Sequence, residues 1–104
     1  MIEYNKLVRD KIPQIIQEKG KECDFRVAPP GSIEYKVALR KKLLEEAQEF
    51  YEDPSVEELA DVLEVIAAIQ QAEEVTDVDI ESARQEKNLA RGAFADGIIL
   101  ERVL

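Results

Sequence analysis

The sequence predicts a mainly α protein, a helical bundle of about four helices with a short two-stranded β element formed by residues near 24–28 and 98–103. Three observations predict it. Apolar residues recur at helical spacing in the stretches beginning near residues 33, 56 and 77, each stretch opens on a Ser or Thr suited to an N-cap, and Gly or Pro punctuates the chain between them. Internal repeats, low-complexity tracts and Gly/Ser linkers are lacking, so residues 1–104 read as one domain.

The first helix is expected from about Asp10, with Pro13 tolerated in its opening turn and Gly20 as its stop. Cys23 to Ala28 alternates in a strand-like way at Phe25 and Val27, then breaks at Pro29-Pro30-Gly31. Ser32 can cap a second helix that runs to about Glu52 and closes at Asp53-Pro54. Ser55-Val56-Glu57-Glu58 has the form of a capping box, so a third helix should start there and run to about Glu74. Thr76-Asp77-Val78-Asp79 offers a similar start for a fourth, ending near Arg91-Gly92. The tail from Phe94 to Leu104 reads as a turn at Asp96-Gly97 followed by a short strand able to pair with residues 24–28. Phe25 and Tyr51 are expected in the core, while Tyr4 and Tyr35 are further aromatics able to stack on a base.

Composition narrows the chemistry. The chain has 23 acidic and 14 basic residues, a net charge of −9, no histidine and a single cysteine. Without histidine there is no imidazole base, no Ser-His-Asp or Cys-His nucleophile system and no His-ligated zinc. Cys23 alone makes neither an intramolecular disulfide nor a thiolate cage, which favours a reducing, cytoplasmic setting. Charges interrupt the apolar positions of the N-terminal segment, and the longest apolar run, Val65 to Ile69, is too short to span a bilayer, so neither a signal peptide nor a membrane partner is expected. The acidic balance argues against nucleic acid as a partner.

The charge is unevenly spread. Residues 1–44 carry ten basic and six acidic side chains, whereas residues 45–64 carry nine acids and no base. At about 100° per residue, Leu39, Leu43 and Phe50 form one stripe of the second helix; Glu46 falls inside it and Glu49 beside it. On the third helix the series Val62, Val65, Ile69 runs back by i−4 to Glu58, with Asp61 at its edge. An i, i+3 pair has Cβ atoms roughly 5 to 6 Å apart. Two antiparallel helices joined by the turn at Asp53-Pro54-Ser55 would bring E46-x-x-E49 and E58-x-x-D61 face to face. An all-oxygen donor set of this kind suits Mg²⁺ or Mn²⁺. Spacing alone leaves an alternative open, an ion network with Arg84, Lys87, Asn88 and Arg91 of the fourth helix. Glu45, Glu52, Glu57 and Glu64 fall on the other face and read as solvated surface. Val37, Leu44 and Tyr51 form a second apolar row that one core does not cover, which points to self-association.

The elements KLLEEAQEF at 42–50, EELADVLEVI at 57–66 and EKNLARGAF at 86–94, with the opening YNKLVRDKIPQII at 4–16, resemble the all-α nucleoside triphosphate pyrophosphohydrolases of the MazG-like and phosphoribosyl-ATP pyrophosphohydrolase-like superfamily, in its small single-domain, house-cleaning branch. The resemblance covers nearly the whole chain. It implies that Glu46, Glu49, Glu58 and Asp61 hold Mg²⁺, with Mn²⁺ as a substitute, against the phosphates of a nucleotide. It further implies that Lys87 and Arg91, with Asn88, meet the triphosphate, that Lys6 and Arg9, with Lys11, contribute phosphate or oligomer contacts, and that the protein forms a homodimer or homotetramer. The implied reaction releases pyrophosphate and a nucleoside monophosphate from a triphosphate, non-standard nucleotides being the expected substrates. Glu49, at the flank of the acidic group, is the first choice for the water-activating base, and Glu46 is more a ligand. The spacer at residues 50–57 is short for the family, which leaves the base specificity open. Competing readings are hydrolysis of phosphoribosyl-ATP and a non-catalytic metal-binding helical module.

Overall fold

The computed structural model describes residues 1–104 and contains four helices and no strand: α1 (Ile12–Glu18), α2 (Ile33–Glu52), α3 (Val56–Ala72) and α4 (Asp77–Arg91). More than half of the chain is helical, as expected of a mainly α protein. Two compact units can be distinguished, Met1–Glu74 and Val75–Leu104.

Local chemistry sets the helix ends. Pro13 sits in the first turn of α1, where a missing amide hydrogen costs nothing, and the chain leaves α1 through Gly20 at φ +79°. The Ser32 hydroxyl accepts the Tyr35 amide at 3.1 Å to open α2, and the Ser55 hydroxyl accepts the Glu58 amide at 3.2 Å to open α3. At α4 the capping box is complete: Asp79 N–H donates to Thr76 Oγ1 at 3.1 Å and Thr76 N–H donates to Asp79 Oδ2 at 3.0 Å. Gly92, at φ +80°, donates its amide to the Asn88 carbonyl and ends α4.

In the first unit α2 packs along α3, the two joined by the tight turn at Asp53-Pro54-Ser55. Leu39 of α2, only 3% exposed, and Val65 of α3 are the buried apolar residues, and Leu43, Phe50, Val62 and Ile69 are half-buried around them. These residues are the predicted stripes, and the carboxylates threaded into the stripes are therefore carried to the helix–helix seam.

Two expectations are corrected. The two-stranded element does not form: residues near 24–28 and 98–103 have no regular structure, Phe25 and Val27 are exposed, and Arg26 is instead ion-paired to Glu34. A lone two-stranded pair is marginal in water, and alternating apolar residues alone do not supply the third layer it needs. The tail keeps only its turn, with the Gly97 amide bonded to the Phe94 carbonyl at 3.1 Å. Phe25 and Tyr51 are surface residues rather than core. Tyr51 shares a row with exposed Leu44 on the side of α2 turned away from Leu39.

Candidate functional site

The acidic group lies on the seam between α2 and α3. Glu46 is 7% exposed, because it occupies the position between Leu43 and Phe50 that the helix turns toward α3. Its Oε1 meets Lys42 Nζ at 3.1 Å, one helical turn back, while its Oε2 is buried without a hydrogen-bond partner. Glu58 Oε2 is in the same condition. Glu58 occupies the position from which a capping-box carboxylate would reach back to the Ser55 amide, yet α3 has only the serine half of that box, and the glutamate faces the seam. Two buried carboxylate oxygens lacking donors are costly features unless a cation answers them.

Carboxylate oxygens of Glu46, Glu58 and Asp61 lie within 4.8 Å of one another, and so do those of Glu45, Glu46 and Glu49. Glu46 belongs to both groups. Two oxygens bound to one Mg²⁺ are at most about 4.2 Å apart, given metal–oxygen distances of about 2.1 Å, so small side-chain rotations suffice to close either group on an ion. The all-carboxylate donor set and the two orphaned oxygens fit a hard divalent cation, with Glu46, Glu58, Asp61 and Glu49 as the groups able to hold it.

The electrostatics are those of crowded like charges partly compensated. Glu49 is held above the ordinary carboxylate range, first by the close approach of the Glu46 carboxyl as a hydrogen-bonding neighbour, then by the Glu46 charge, with desolvation and the charges of Glu58 and Glu45 adding to it. Glu45 is held below that range, chiefly by its hydrogen bond from Lys6, and Lys6 is raised by the same bond. Lys6 Nζ donates to Glu45 Oε1 at 2.9 Å, and Arg9 Nη2 donates to Asp61 Oδ1 at 2.6 Å. Lys42 also reaches Glu45, at 3.4 Å.

Of the residues singled out from the sequence, Glu46, Glu58 and Asp61 fall in one group and Glu46 and Glu49 in the other, while Lys6 reaches Glu45 and Arg9 reaches Asp61 from the N-terminal segment. Lys87, Asn88 and Arg91 are exposed residues of α4 in the second unit. Glu45 corrects the reading that set it on the solvated face: it belongs to the cluster. Lys42 is a further residue of the cluster, and its i, i+3 and i, i+4 spacing to Glu45 and Glu46 is visible in the sequence. A cavity of about 660 Å³ lies elsewhere in the first unit, around Tyr35, Lys36, Ala68 and Gln71. Tyr35 is roughly 16 Å along α2 from Glu46 at 1.5 Å per residue, so this cavity is separate from the carboxylates.

No family model, curated protein or solved structure matches this chain. No helix is long and apolar enough to cross a membrane.

Proposed function

We propose that this chain is a Mg²⁺-dependent nucleoside triphosphate pyrophosphohydrolase that releases pyrophosphate and a nucleoside monophosphate, with non-standard nucleotides as its substrates. The observation that carries the reading is Glu46, nine-tenths buried with an unpartnered oxygen, next to a second orphaned oxygen on Glu58. A carboxylate buried for structural reasons alone would be expected to have both oxygens satisfied.

In this reading Glu46, Glu58 and Asp61 hold the cation, with Glu49 completing the set from the flank. Bound Mg²⁺ supplies charge stabilisation on the phosphate oxygens and lets a polyanionic substrate approach an acidic surface. Glu49, exposed at the edge of the cluster, takes a proton from the attacking water. Lys6 and Arg9, which reach the acidic residues from the N-terminal segment of the same unit, bind the triphosphate. Retention of Mg²⁺ affinity with normal turnover in Glu49→Gln would remove Glu49 from the role of base.

Self-association is part of the same proposal, as a homodimer or homotetramer. The chain has 9674 Å² of accessible surface. Compact pieces with the masses of the two units would expose only about 7,000 Å² between them. The excess, of order 2,500 Å² per chain, is what a large, obligate interface covers. Leu44 and Tyr51 on α2 and Val56, Leu59 and Leu63 on α3 are among the exposed apolar residues of the first unit's helices, and a second copy would cover them.

Incubation of the purified protein with Mg²⁺ and a panel of standard and modified nucleoside triphosphates, with pyrophosphate as the readout, tests the activity. Release from triphosphates supports the proposal. Release only from phosphoribosyl-ATP assigns the rival hydrolysis, and no release from either substrate class leaves a metal-binding helical module.

A further inference from the structure

The carboxylate cluster already has counter-ions, and they differ in how firmly the fold holds them. Lys42 is on α2 itself, one turn from Glu46, and its side chain is only 15% exposed. Lys6 and Arg9 are on the irregular segment before α1, with side chains 43% and 58% exposed, and they reach partners 39 and 52 residues away in sequence. Asn5 adopts a left-handed φ of +45° immediately before Lys6, a conformation that asparagine tolerates better than most residues, and the bend it makes precedes the reach of Lys6 to Glu45. The Arg9 carbonyl accepts the Ile12 amide at 3.1 Å, which ties its backbone to the start of α1, while its exposed side chain is held only by the pair with Asp61.

We propose that the N-terminal segment is a displaceable counter-ion: Arg9 on Asp61 and Lys6 on Glu45 neutralise the cluster when no cation is bound, and a divalent cation entering it must drive them off. The inference rests on the reading of the cluster as a cation site. Arg9 holds Asp61 Oδ1 at 2.6 Å, so a cation coordinated by Asp61 would stand within a few ångströms of the guanidinium, and two positive charges at that separation repel. The partner that leaves is the one held by a single exposed ion pair on an irregular segment, because such pairs contribute little to stability. Lys42 stays, being fixed to α2 and largely covered. Once displaced, Lys6 and Arg9 are two cations beside a loaded metal, where the phosphates of an incoming nucleotide lie. The same two residues therefore serve the resting cluster as counter-ions and the loaded one as anion partners.

Isothermal titration of Mg²⁺ alone into the full chain, compared between wild type, Arg9→Gln and Arg9→Lys, tests the proposal. Removal of the competing charge should tighten Mg²⁺ binding about two- to five-fold in R9Q, the range that an exposed ion pair spans, while R9K stays near wild type. A second readout needs no variant: the ¹⁵N heteronuclear NOE of residues 4–10 in wild type should fall as Mg²⁺ is added, reporting a segment released to fast motion. Wild type that binds Mg²⁺ with R9Q unchanged or weaker, or with residues 4–10 no more mobile, overturns the counter-ion role and leaves the cation site standing. Wild type that binds no Mg²⁺ overturns the cation site itself, and the counter-ion role with it.

Discussion

The two units of this chain use the same sequence devices with opposite results. Val75–Leu104 contains the best-capped helix in the molecule, with a complete capping box at Thr76/Asp79 and a left-handed glycine at its end, yet α4 buries no residue, and Leu89 and Phe94 are 91% and 97% exposed. Met1–Glu74 has weaker caps, with only the serine half of the box at Ser55, but it contains the buried residues Leu39, Val65 and Glu46. Capping satisfies the backbone groups at a helix end and acts locally, worth about 1 kcal/mol per cap. Burial requires a second surface, and within the first unit α2 and α3 supply it to each other. α4 has good ends and no buried residue, so its stability rests on capping rather than on burial.

The contrast can be broken most strongly at the core. Leu39→Ala should destabilise the protein by about 2–5 kcal/mol in urea unfolding, whatever the protein concentration. Leu89→Ala should change stability by less than about 0.5 kcal/mol in dilute solution. If Leu89→Ala instead costs stability only as the protein is concentrated, the face of α4 is buried between copies, and the contrast is sharpened rather than lost. Next in size is Thr76→Ala, which removes the capping box and should cost about 1 kcal/mol, with loss of helical circular dichroism; a cost near zero would show that α4 is held by something other than its cap.

The smallest effect concerns the charge on the seam. The Glu49 carboxyl has its proton affinity raised in the folded protein, so its favourable contribution is complete at acid pH and is lost as pH rises through its raised value. Glu49→Gln should therefore be more stable than wild type at pH 7 without added cation, the difference vanishing below about pH 4. Glu45 runs the other way. Its affinity is lowered by Lys6, so its contribution is present at neutral pH and is lost as pH falls through its lowered value. Denaturation of Glu49→Gln and Glu45→Gln at both pH values separates the two signs, and equal pH dependence would contradict the division of the cluster.

Much of this was legible in the sequence, for a physical reason that also marks its boundary. Ser32, Ser55, Thr76 and Gly92 act on neighbours within four residues, and their roles follow from spacing alone. Glu46 was legible because a charge at an apolar position of a periodic row has to face the seam. The ion pairs of Lys6 and Arg9 were not, because they join residues 39 and 52 apart through an irregular segment that no periodicity describes. The place of Glu45 in the cluster escapes its spacing for a related reason. Its helical angle does point away from the core, but Lys6 and Lys42 cover that flank, and a long side chain can lean into a neighbouring cluster. The tail forms no strand because apolar residues following the turn at Asp96-Gly97 do not by themselves specify a pairing partner.

In the proposed function Glu46 organises a divalent-cation site on the α2–α3 seam. Its most direct test is the thermal unfolding midpoint of wild type and Glu46→Gln, each with and without Mg²⁺. Binding to the native state alone must raise the midpoint as the cation concentration exceeds its dissociation constant, so Mg²⁺ should raise that of wild type and leave that of Glu46→Gln unmoved. An equal rise in both proteins, or none in wild type, would contradict the claim.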